Sequence, residues 1–297
     1  MDPSLQSPLF TQHVVNVMRS LYPEELADRA WDNVGLLQEN INPTSGTVPP
    51  RVLLTNDLTP SVAEEAIKKK ASVIVSYHPF IFRGLKSVTL SDPHQRIVLR
   101  LAQHNIAVYS PHTSVDAVIG GVNDWLAGIL NKLDAVRDVT VVQPVQGAVP
   151  AGFEGAGYGR RVQLWVDIDI KDIMQVYCRE LGLKHVMVSQ PRVREGERNC
   201  VRSVAVCAGS GFDVLKDTDA DVIVTGEMSH HNALRLKMLG KSVITLFHSN
   251  TERGFLKQVL QAQLQAALRH EDHEAEVLVS EEDADPFEIF GAEELVG

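Results

Sequence analysis

Short apolar runs with strand character alternate with amphipathic segments of helical spacing along most of this chain. In the first half, the pattern predicts strands at 51–57, 72–77 and 106–110, and helices at 11–22, 60–70, 93–104 and 121–132. In the second half, it predicts strands at 161–168, 201–207, 221–225 and 242–247, and helices at 170–182, 229–239 and 251–269. Such alternation favours an α/β fold with mostly parallel or mixed sheets flanked by helices.

The length of 297 residues suits two domains, although one large α/β domain also fits it. The segment 139–160 is rich in glycine and proline, which is typical of a domain boundary or a mobile loop. We therefore expect an N-terminal α/β domain over 1–138 and a second α/β domain over 139–297. The segment around 247–269 is expected to return side chains to a site shared by both.

Composition and cysteine usage narrow the class of protein. Hydrophobic residues make up 44% and charged residues 22%, which is typical of a globular protein, and no apolar run approaches the ~20 residues of a membrane span. The first residues lack the apolar core of a secretory signal. The three cysteines, Cys178, Cys200 and Cys207, match no zinc spacing and indicate a reducing compartment. We expect a cytoplasmic protein, with nuclear or mitochondrial pools left open.

The net charge of −10 argues against direct, broadly electrostatic binding to nucleic acid. Much of the acidic excess falls between residues 271 and 285. We interpret this stretch as a solvated acidic end, with an acidic interaction tail as the alternative.

Polar side chains with metal-binding chemistry follow several predicted strands. His78, Asp116 and His248 each come shortly after a strand, and Glu252 lies four residues beyond His248. Open parallel sheets bind ligands outside the carboxyl ends of their strands. Imidazole combined with carboxylate suits Zn, Mn, Fe or Ni better than Ca. The sequence therefore predicts a divalent-metal site with these four side chains as ligands.

Each proposed ligand also has an ordinary structural interpretation. His78 would then be a buried, hydrogen-bonded histidine, and Asp116 would cap the helix predicted near Gly120. His248 and Glu252 would form a capping contact or a helix pair.

Two further side chains are candidates for catalysis. His112, four residues before Asp116, is predicted to carry protons or to orient a metal ligand. Glu227, after the strand at 221–225, is predicted to be a general base or an orienting carboxylate, with a carboxylate favoured by a helix dipole as the alternative. The Gly-Ser-Gly turn at 209–211 offers backbone N–H groups to a phosphate as a further interpretation.

Seven segments, in this order, resemble the Nif-three-like family (NGG-one-interacting factor three), also called GTP cyclohydrolase 1 type 2 homologues. They are WDNVGLL (31–37), SYHPFIFRGLK (76–86), YSPHTSVDAVIGGVNDWLA (109–127), GYGR (157–160), CAGSG (207–211), DVIVTGEMSHH (221–231) and FHSNTERG (247–254). Together they span nearly the whole chain. The combination of His-Thr-x-x-Asp, Thr-Gly-Glu and His-x-x-x-Glu is specific.

The resemblance implies a two-domain α/β protein with a dinuclear metal centre that faces the interior of a toroidal homohexamer. It places His78, Asp116, His248 and Glu252 around that centre. Bacterial members bring two adjacent histidines to the first strand end, whereas here the first of the pair is Tyr77, as in the eukaryotic branch. A phenol with a pKa of about 10 is a poor ligand at neutral pH, so we expect one or two metal ions per chain.

The leading functional hypothesis is a metal-dependent hydrolase of the GTP cyclohydrolase 1 type 2 class that acts on a small nucleotide-like substrate. Divalent ions at such a site lower the pKa of water toward ~7. The alternative is a non-enzymatic interaction protein or transcriptional cofactor whose metal stabilises a homo-oligomer, since the family's name reflects a protein partner. Direct DNA binding fits the acidic charge poorly.

Overall fold

The computed structural model describes residues 6–42, 49–192, 198–291 and 293 of the chain, and its strands form two mixed sheets. The strands are β1 (Gly35–Gln38), β2 (Arg51–Thr55), β3 (Val73–Ser76), β4 (Ala107–Ser110), β5 (Val136–Pro144), β6 (Gly157–Asp169), β7 (Met187–Ser189), β8 (Cys200–Cys207), β9 (Val222–Thr225), β10 (Ser242–Thr245) and β11 (Glu276–Val279).

The first sheet has the order β1-β4-β3-β2-β11. Strands β4, β3, β2 and β11 are parallel to one another, and β1 pairs antiparallel with β4. Every residue of β3 and β4 is buried, as expected for central strands with helices on both faces.

The second sheet has the order β5-β6-β8-β9-β10-β7. Only β8, β9 and β10 are parallel, whereas β5, β6 and β8 pair antiparallel and β7 pairs antiparallel with β10. One buried apolar cluster contains side chains from both sheets, including Val75 of β3 and Val224 of β9. The two sheets therefore share a core.

The helices cover the faces of these sheets. They are α1 (Leu9–Leu21), α2 (Pro60–Lys68), α3 (Pro93–Gln103), α4 (Thr113–Ala117), α5 (Val122–Gly128), α6 (Ile170–Leu181), α7 (Phe212–Leu215), α8 (His230–Met238), α9 (Arg253–Phe255) and α10 (Gln261–Glu271). Short 3₁₀ turns occupy Glu24–Leu26, Ile129–Leu133 and Ser249–Thr251, and a π-helical turn, Leu256–Leu260, joins α9 to α10.

Local signals explain where several helices begin. Thr59 and Asp92 accept hydrogen bonds from the first turns of α2 and α3, and a proline occupies the first position of each helix. The predicted fold class and most predicted helices and strands are confirmed, to within a few residues at their ends.

The structure corrects the prediction for 139–160, which is not one continuous loop. Its ends lie in β5 and β6, which pair antiparallel around the connecting residues 145–156. The prediction failed because β5 is a half-exposed edge strand with little continuous apolar character. The predicted domain boundary at residue 139 stays a prediction.

The solvated acidic end predicted for 271–285 is also wrong in part. Glu276 lies in β11 and pairs with Arg51 at 2.6 Å, and the side chain of Asp283 is only 3% exposed. Asp283 accepts a hydrogen bond from the backbone N–H of Asn56, and Asp285 accepts one from Ser249. The segment is thus anchored to the loops that follow β2 and β10.

Across the described residues, no helix combines the length and apolar character needed to cross a membrane. Cys178, Cys200 and Cys207 are all free thiols.

Candidate metal centre

Three of the predicted ligands meet where the carboxyl ends of the two sheets face each other. His78 follows β3, and His248 follows β10; Glu252 lies between the 3₁₀ turn 249–251 and α9. Donor atoms of these three residues lie within 4.8 Å of one another. A possible metal-binding triad of His78, His248 and Glu252 is therefore present.

The two histidines direct equivalent atoms toward the same carboxylate. Nε2 of His78 lies 3.4 Å from Oε2 of Glu252, and Nε2 of His248 lies 3.4 Å from Oε1. The two Nε2 atoms are 3.3 Å apart. Glu252 is 2% exposed, so two imidazole nitrogens and one buried carboxylate converge on a single point.

The opposite nitrogen of each ring is held by a second carboxylate. Nδ1 of His78 lies 2.9 Å from Oδ1 of Asp57, and Nδ1 of His248 lies 3.2 Å from Oε1 of Glu227. A carboxylate on Nδ1 fixes the tautomer and orientation of a metal-binding histidine and raises its basicity. Each ring is therefore arranged to present Nε2 as a ligand atom.

Charge interactions among these groups are strong. Burial alone would lower the pKa of His78, but the carboxylates of Glu252 and Asp57 outweigh it and raise that pKa to about 10. The pKa of His248 is raised to about 9, because Glu252 and Glu227 likewise outweigh burial. Burial would raise the pKa of Glu252, but the two histidines hold it well below its usual range.

Asp116 lines the same cleft but does not belong to the triad. It lies inside α4, so its interpretation as a helix cap near Gly120 is wrong; Asp124 accepts the hydrogen bond from the N–H of Gly120 instead. The hydroxyl of Tyr77 donates a hydrogen bond to Oδ1 of Asp116. Burial raises the pKa of Asp116 to about 6, against the lowering effects of His112 and Tyr77.

His112 forms a third imidazole–carboxylate pair beside the triad. Its Nδ1 lies 2.6 Å from Oδ1 of Asp32, which also accepts hydrogen bonds from Thr113. The ring centroids of His112 and His78 are 5.4 Å apart. His112 has a φ of 34°, a rarely populated conformation for a residue with a side chain. The Asp32 contact and this backbone direct the ring into the cleft.

Glu227 is half exposed and contacts both His248 and Ser210, whose hydroxyl donates to it. That hydrogen bond and the neighbouring His248 lower the pKa of Glu227. The N–H groups of Gly209 and Gly211 donate to Thr251 and Thr225. The turn 209–211 therefore lacks two of the donors that a phosphate site in this loop requires.

Gly209 approaches the triad more closely than any larger residue would allow. A Cβ at this position would lie 2.6 Å from Oε1 of Glu252 and 3.0 Å from Nε2 of His248. The backbone of Gly209 thus forms one wall of the ligand cluster.

Sequence reasoning missed Asp57, Asp32 and Asn56. Asp57 comes just after β2, so the rule that selected His78 at the end of the neighbouring strand also applies to it. Asn56 donates a hydrogen bond to Oε2 of Glu252 at 3.1 Å, which fixes the carboxylate. Asp32 lies far from any predicted strand end, and only its place in WDNVGLL signalled it.

The donor set fits a divalent transition metal. With Nε2 of each ring deprotonated, two imidazoles and a carboxylate would form the three-ligand arrangement of many catalytic zinc sites, which leaves further positions for water or substrate. The site opens into a cleft of about 650 Å³.

Comparisons with known proteins agree along almost the whole chain. A family model described as Duf34/NIF3 (NGG1p interacting factor 3) matches residues 10–286. A protein NIF3 homolog of Schizosaccharomyces pombe is 47% identical, over 91% of this chain and 94% of the relative. NGG1-interacting factor 3 of Saccharomyces cerevisiae is 40% identical, over 93% and 96%.

Solved structures show the same fold at lower identity. A Bacillus cereus protein related to NIF3 superposes with a TM-score of 0.77 at 23% identity and covers 94% of this chain and 98% of that one. Reduced HcgD from Methanocaldococcus jannaschii gives a TM-score of 0.70 at 19% identity, over 91% and 97%. The family match, the relatives and the fold agree: this chain is a eukaryotic-type member of the Duf34/NIF3 (NGG1p interacting factor 3) family.

Proposed function

We propose that this protein binds one or two divalent metal ions (Zn, Mn, Fe or Ni) at His78, His248, Glu252 and Asp116 and hydrolyses a small nucleotide-like substrate there. One observation carries the proposal. His78 and His248 each have Nδ1 on a carboxylate and Nε2 directed at the buried carboxylate of Glu252. A purely structural histidine pair has no need of this convergence.

The residues of the site have two roles, metal binding and orientation of the ligands. His78, His248 and Glu252 bind the ion, Asp57 and Glu227 orient the two rings, and Asn56 holds the carboxylate. When bound, a divalent ion polarises a substrate oxygen and lowers the pKa of water.

His112 and Glu227 are the proposed proton carriers. Nε2 of His112 remains available, because Asp32 occupies only Nδ1, and the ring borders the cleft. Glu227 is half exposed, and Ser210 and His248 lower its pKa, so its carboxylate is ionised and reachable and can hold a proton only transiently, as a relay does.

Elemental analysis of gently purified protein tests metal binding, and hydrolysis of a panel of nucleotides and esters tests the reaction. We expect His248→Ala to lose both metal and turnover. His104→Ala is the matched control. His104 is exposed and precedes β4, so it lies at the N-terminal ends of the parallel strands, whereas the site lies at their carboxyl ends. Metal-loaded protein that hydrolyses nothing in the panel would contradict the enzymatic part of the proposal.

A second candidate function is a non-enzymatic interaction protein or transcriptional cofactor whose metal stabilises a homo-oligomer. The 40% identical yeast relative is named NGG1-interacting factor 3, and this supports a protein partner. Chelation separates the two functions. It abolishes turnover in a hydrolase, whereas in a purely structural metal protein it only lowers the melting temperature or disperses the oligomer.

The oligomeric state and the cellular compartment are inferred from the family resemblance and the free thiols. We propose a toroidal homohexamer of two-domain chains with the cleft facing its interior, in the cytoplasm, where three free thiols are stable. Light scattering on purified protein measures the hexamer, and a smaller mass would contradict it.

A further inference from the structure

Two aromatic side chains stand at the opening of the metal-site cleft. Trp31 and Phe82 both line it, with ring centroids 6.0 Å apart, yet Trp31 is 52% and Phe82 is 44% exposed. The indole N–H of Trp31 donates to Asp28 at 2.9 Å, which fixes the ring. A fixed aromatic ring with half of its surface exposed offers a stacking surface to a ligand.

This aromatic wall of Trp31 and Phe82 connects directly to the metal centre. The ring of Trp31 packs edge-on against His112 at 5.6 Å, and His112 packs against His78 at 5.4 Å. Two ring-to-ring contacts therefore separate the wall from a metal ligand. The wall and the metal ligands therefore line one continuous cleft, in which a ring that carries a short metal-binding group can contact both.

The charges around the cleft restrict the ligand further. Among the described residues that line it, the only basic side chains are histidines, whereas Asp28, Asp116, Asp213 and Glu252 are acidic. Arg29 and Lys216, close in sequence to cleft residues, pair with Glu24 and Asp213. Arg83, which follows Phe82, does not line the cleft itself but lines a neighbouring depression, which shares His78, Pro79 and Phe82 with it. Lys216 is thus paired with Asp213, and no arginine or lysine lines the described part of the cleft, so a polyphosphate near the metal would meet the carboxylates of Asp116 and Glu252 without the cation that usually binds it.

We propose that the ligand is a flat aromatic heterocycle, uncharged at the end remote from the metal, which packs against Trp31 and Phe82. It is thus a base or nucleoside and not a nucleoside polyphosphate. This inference rests on the proposed metal site, because the metal anchors the other end of the ligand.

Two small hydroxamates test whether a ligand ring packs against the aromatic wall, because they share the metal-binding group and only one of them has a ring. Benzohydroxamate carries a phenyl ring and acetohydroxamate only a methyl group. Calorimetry on zinc-loaded protein gives the affinity ratio of the two. We expect Trp31→Ala to reduce this ratio roughly 2- to 12-fold, the range of an aromatic contact, and Trp31→Phe to retain most of it. Trp165→Ala, which removes a 62% exposed tryptophan of β6, is the matched control and leaves the ratio unchanged.

A third hydroxamate, 4-carboxybenzohydroxamate, tests whether the end of the ligand remote from the metal is uncharged, because it carries an anion at the far end of the ring. We expect it to bind more weakly than benzohydroxamate, and tighter binding would contradict an uncharged end. If both simple hydroxamates bind but Trp31→Ala leaves their ratio unchanged, the aromatic wall is wrong while the metal site stands. If neither binds to protein whose zinc content has been verified, the aromatic wall is wrong, whereas protein that retains no zinc on elemental analysis overturns the proposed metal site instead.

Discussion

The hydroxyl of Tyr77 donates a hydrogen bond to Oδ1 of Asp116 at the base of the cleft. Tyr77 is 2% exposed, and burial raises its pKa well above the ordinary value, so the phenol stays protonated at neutral pH. One oxygen of Asp116 is therefore occupied by a neutral donor beside the triad of His78, His248 and Glu252. The residue directly before His78 therefore supplies a hydrogen-bond donor and no imidazole.

The first prediction follows from this contact. Replacing the phenol with an imidazole, in Tyr77→His, removes the donor from Asp116 and adds a ligand atom next to His78. We expect wild-type protein to retain about one metal ion per chain and Tyr77→His to retain about two, in the range of a dinuclear site. Elemental analysis after dialysis against metal-free buffer measures both.

Tyr77→Phe is the control for this experiment, because it frees Asp116 without supplying a new ligand. We expect its metal content to match wild type. A second equivalent in Tyr77→Phe would mean that the hydrogen bond alone, and not the missing imidazole, limits the second ion.

The second prediction concerns Asp57, which holds Nδ1 of His78. Asp57→Asn keeps the shape but removes the charge, so the ring is oriented less firmly and is less basic. We expect metal affinity to fall roughly 10- to 100-fold, the usual cost of losing such a partner, as measured by competition with a chelator of known affinity. Asp219→Asn, which alters an exposed carboxylate paired with Arg161 in the second sheet, is expected to leave affinity unchanged.

The third prediction is a pH dependence. Without metal, the pKa of His78 is raised to about 10 and that of His248 to about 9, mainly because carboxylates outweigh burial. Both pKa values exceed the ~6.5 of a histidine in the unfolded chain, so protonation of the two rings stabilises the metal-free fold. This stabilisation is fully present below a pH of about 6.5 and is lost as the pH rises through about 9 and 10. The melting temperature of metal-free protein is therefore expected to fall between a pH of about 6.5 and about 10.

Metal binding shows the opposite trend. The ion must displace protons held by the coupled His78–His248 pair, so affinity rises with pH. At pH 7 we expect about one proton or more to be released per metal bound. Calorimetry in buffers of different ionisation enthalpy measures this number, and heats that are independent of the buffer would rule out protonated ligands.

Strand-end reasoning identified the triad because periodicity locates central strands well. The strands before His78 and His248 are buried and apolar, and a polar residue directly after such a run is conspicuous. The half-exposed edge strands β1, β5, β7 and β11 carry no comparable signal, and they were missed.

The residues that support the ligands were harder to predict. In the sequence, Asp57 and Asn56 cannot be told from ordinary turn residues, since aspartate and asparagine are common in the turns that follow strands. Their roles depend on partners 21 residues away in His78 and 196 residues away in Glu252. The anchoring of Asp283 depends in the same way on a contact 227 residues away, with Asn56. Such pairings are set by the tertiary fold and leave no local pattern.

The fourth prediction uses Gly209, whose φ is +58° and whose missing Cβ would lie 2.6 Å from Glu252. Gly209→Ala therefore combines backbone strain with a clash against two ligands, Glu252 and His248. The control is Gly182→Ala, with a φ of +69° and nothing within 4 Å of the added Cβ. In the presence of a chelator, we expect backbone strain to cost each variant about 1–2 kcal/mol of unfolding free energy, and the clash to add a further loss in Gly209→Ala alone. Only Gly209→Ala should also lose metal binding, and equal metal affinity in the two variants would show that Gly209 does not shape the site.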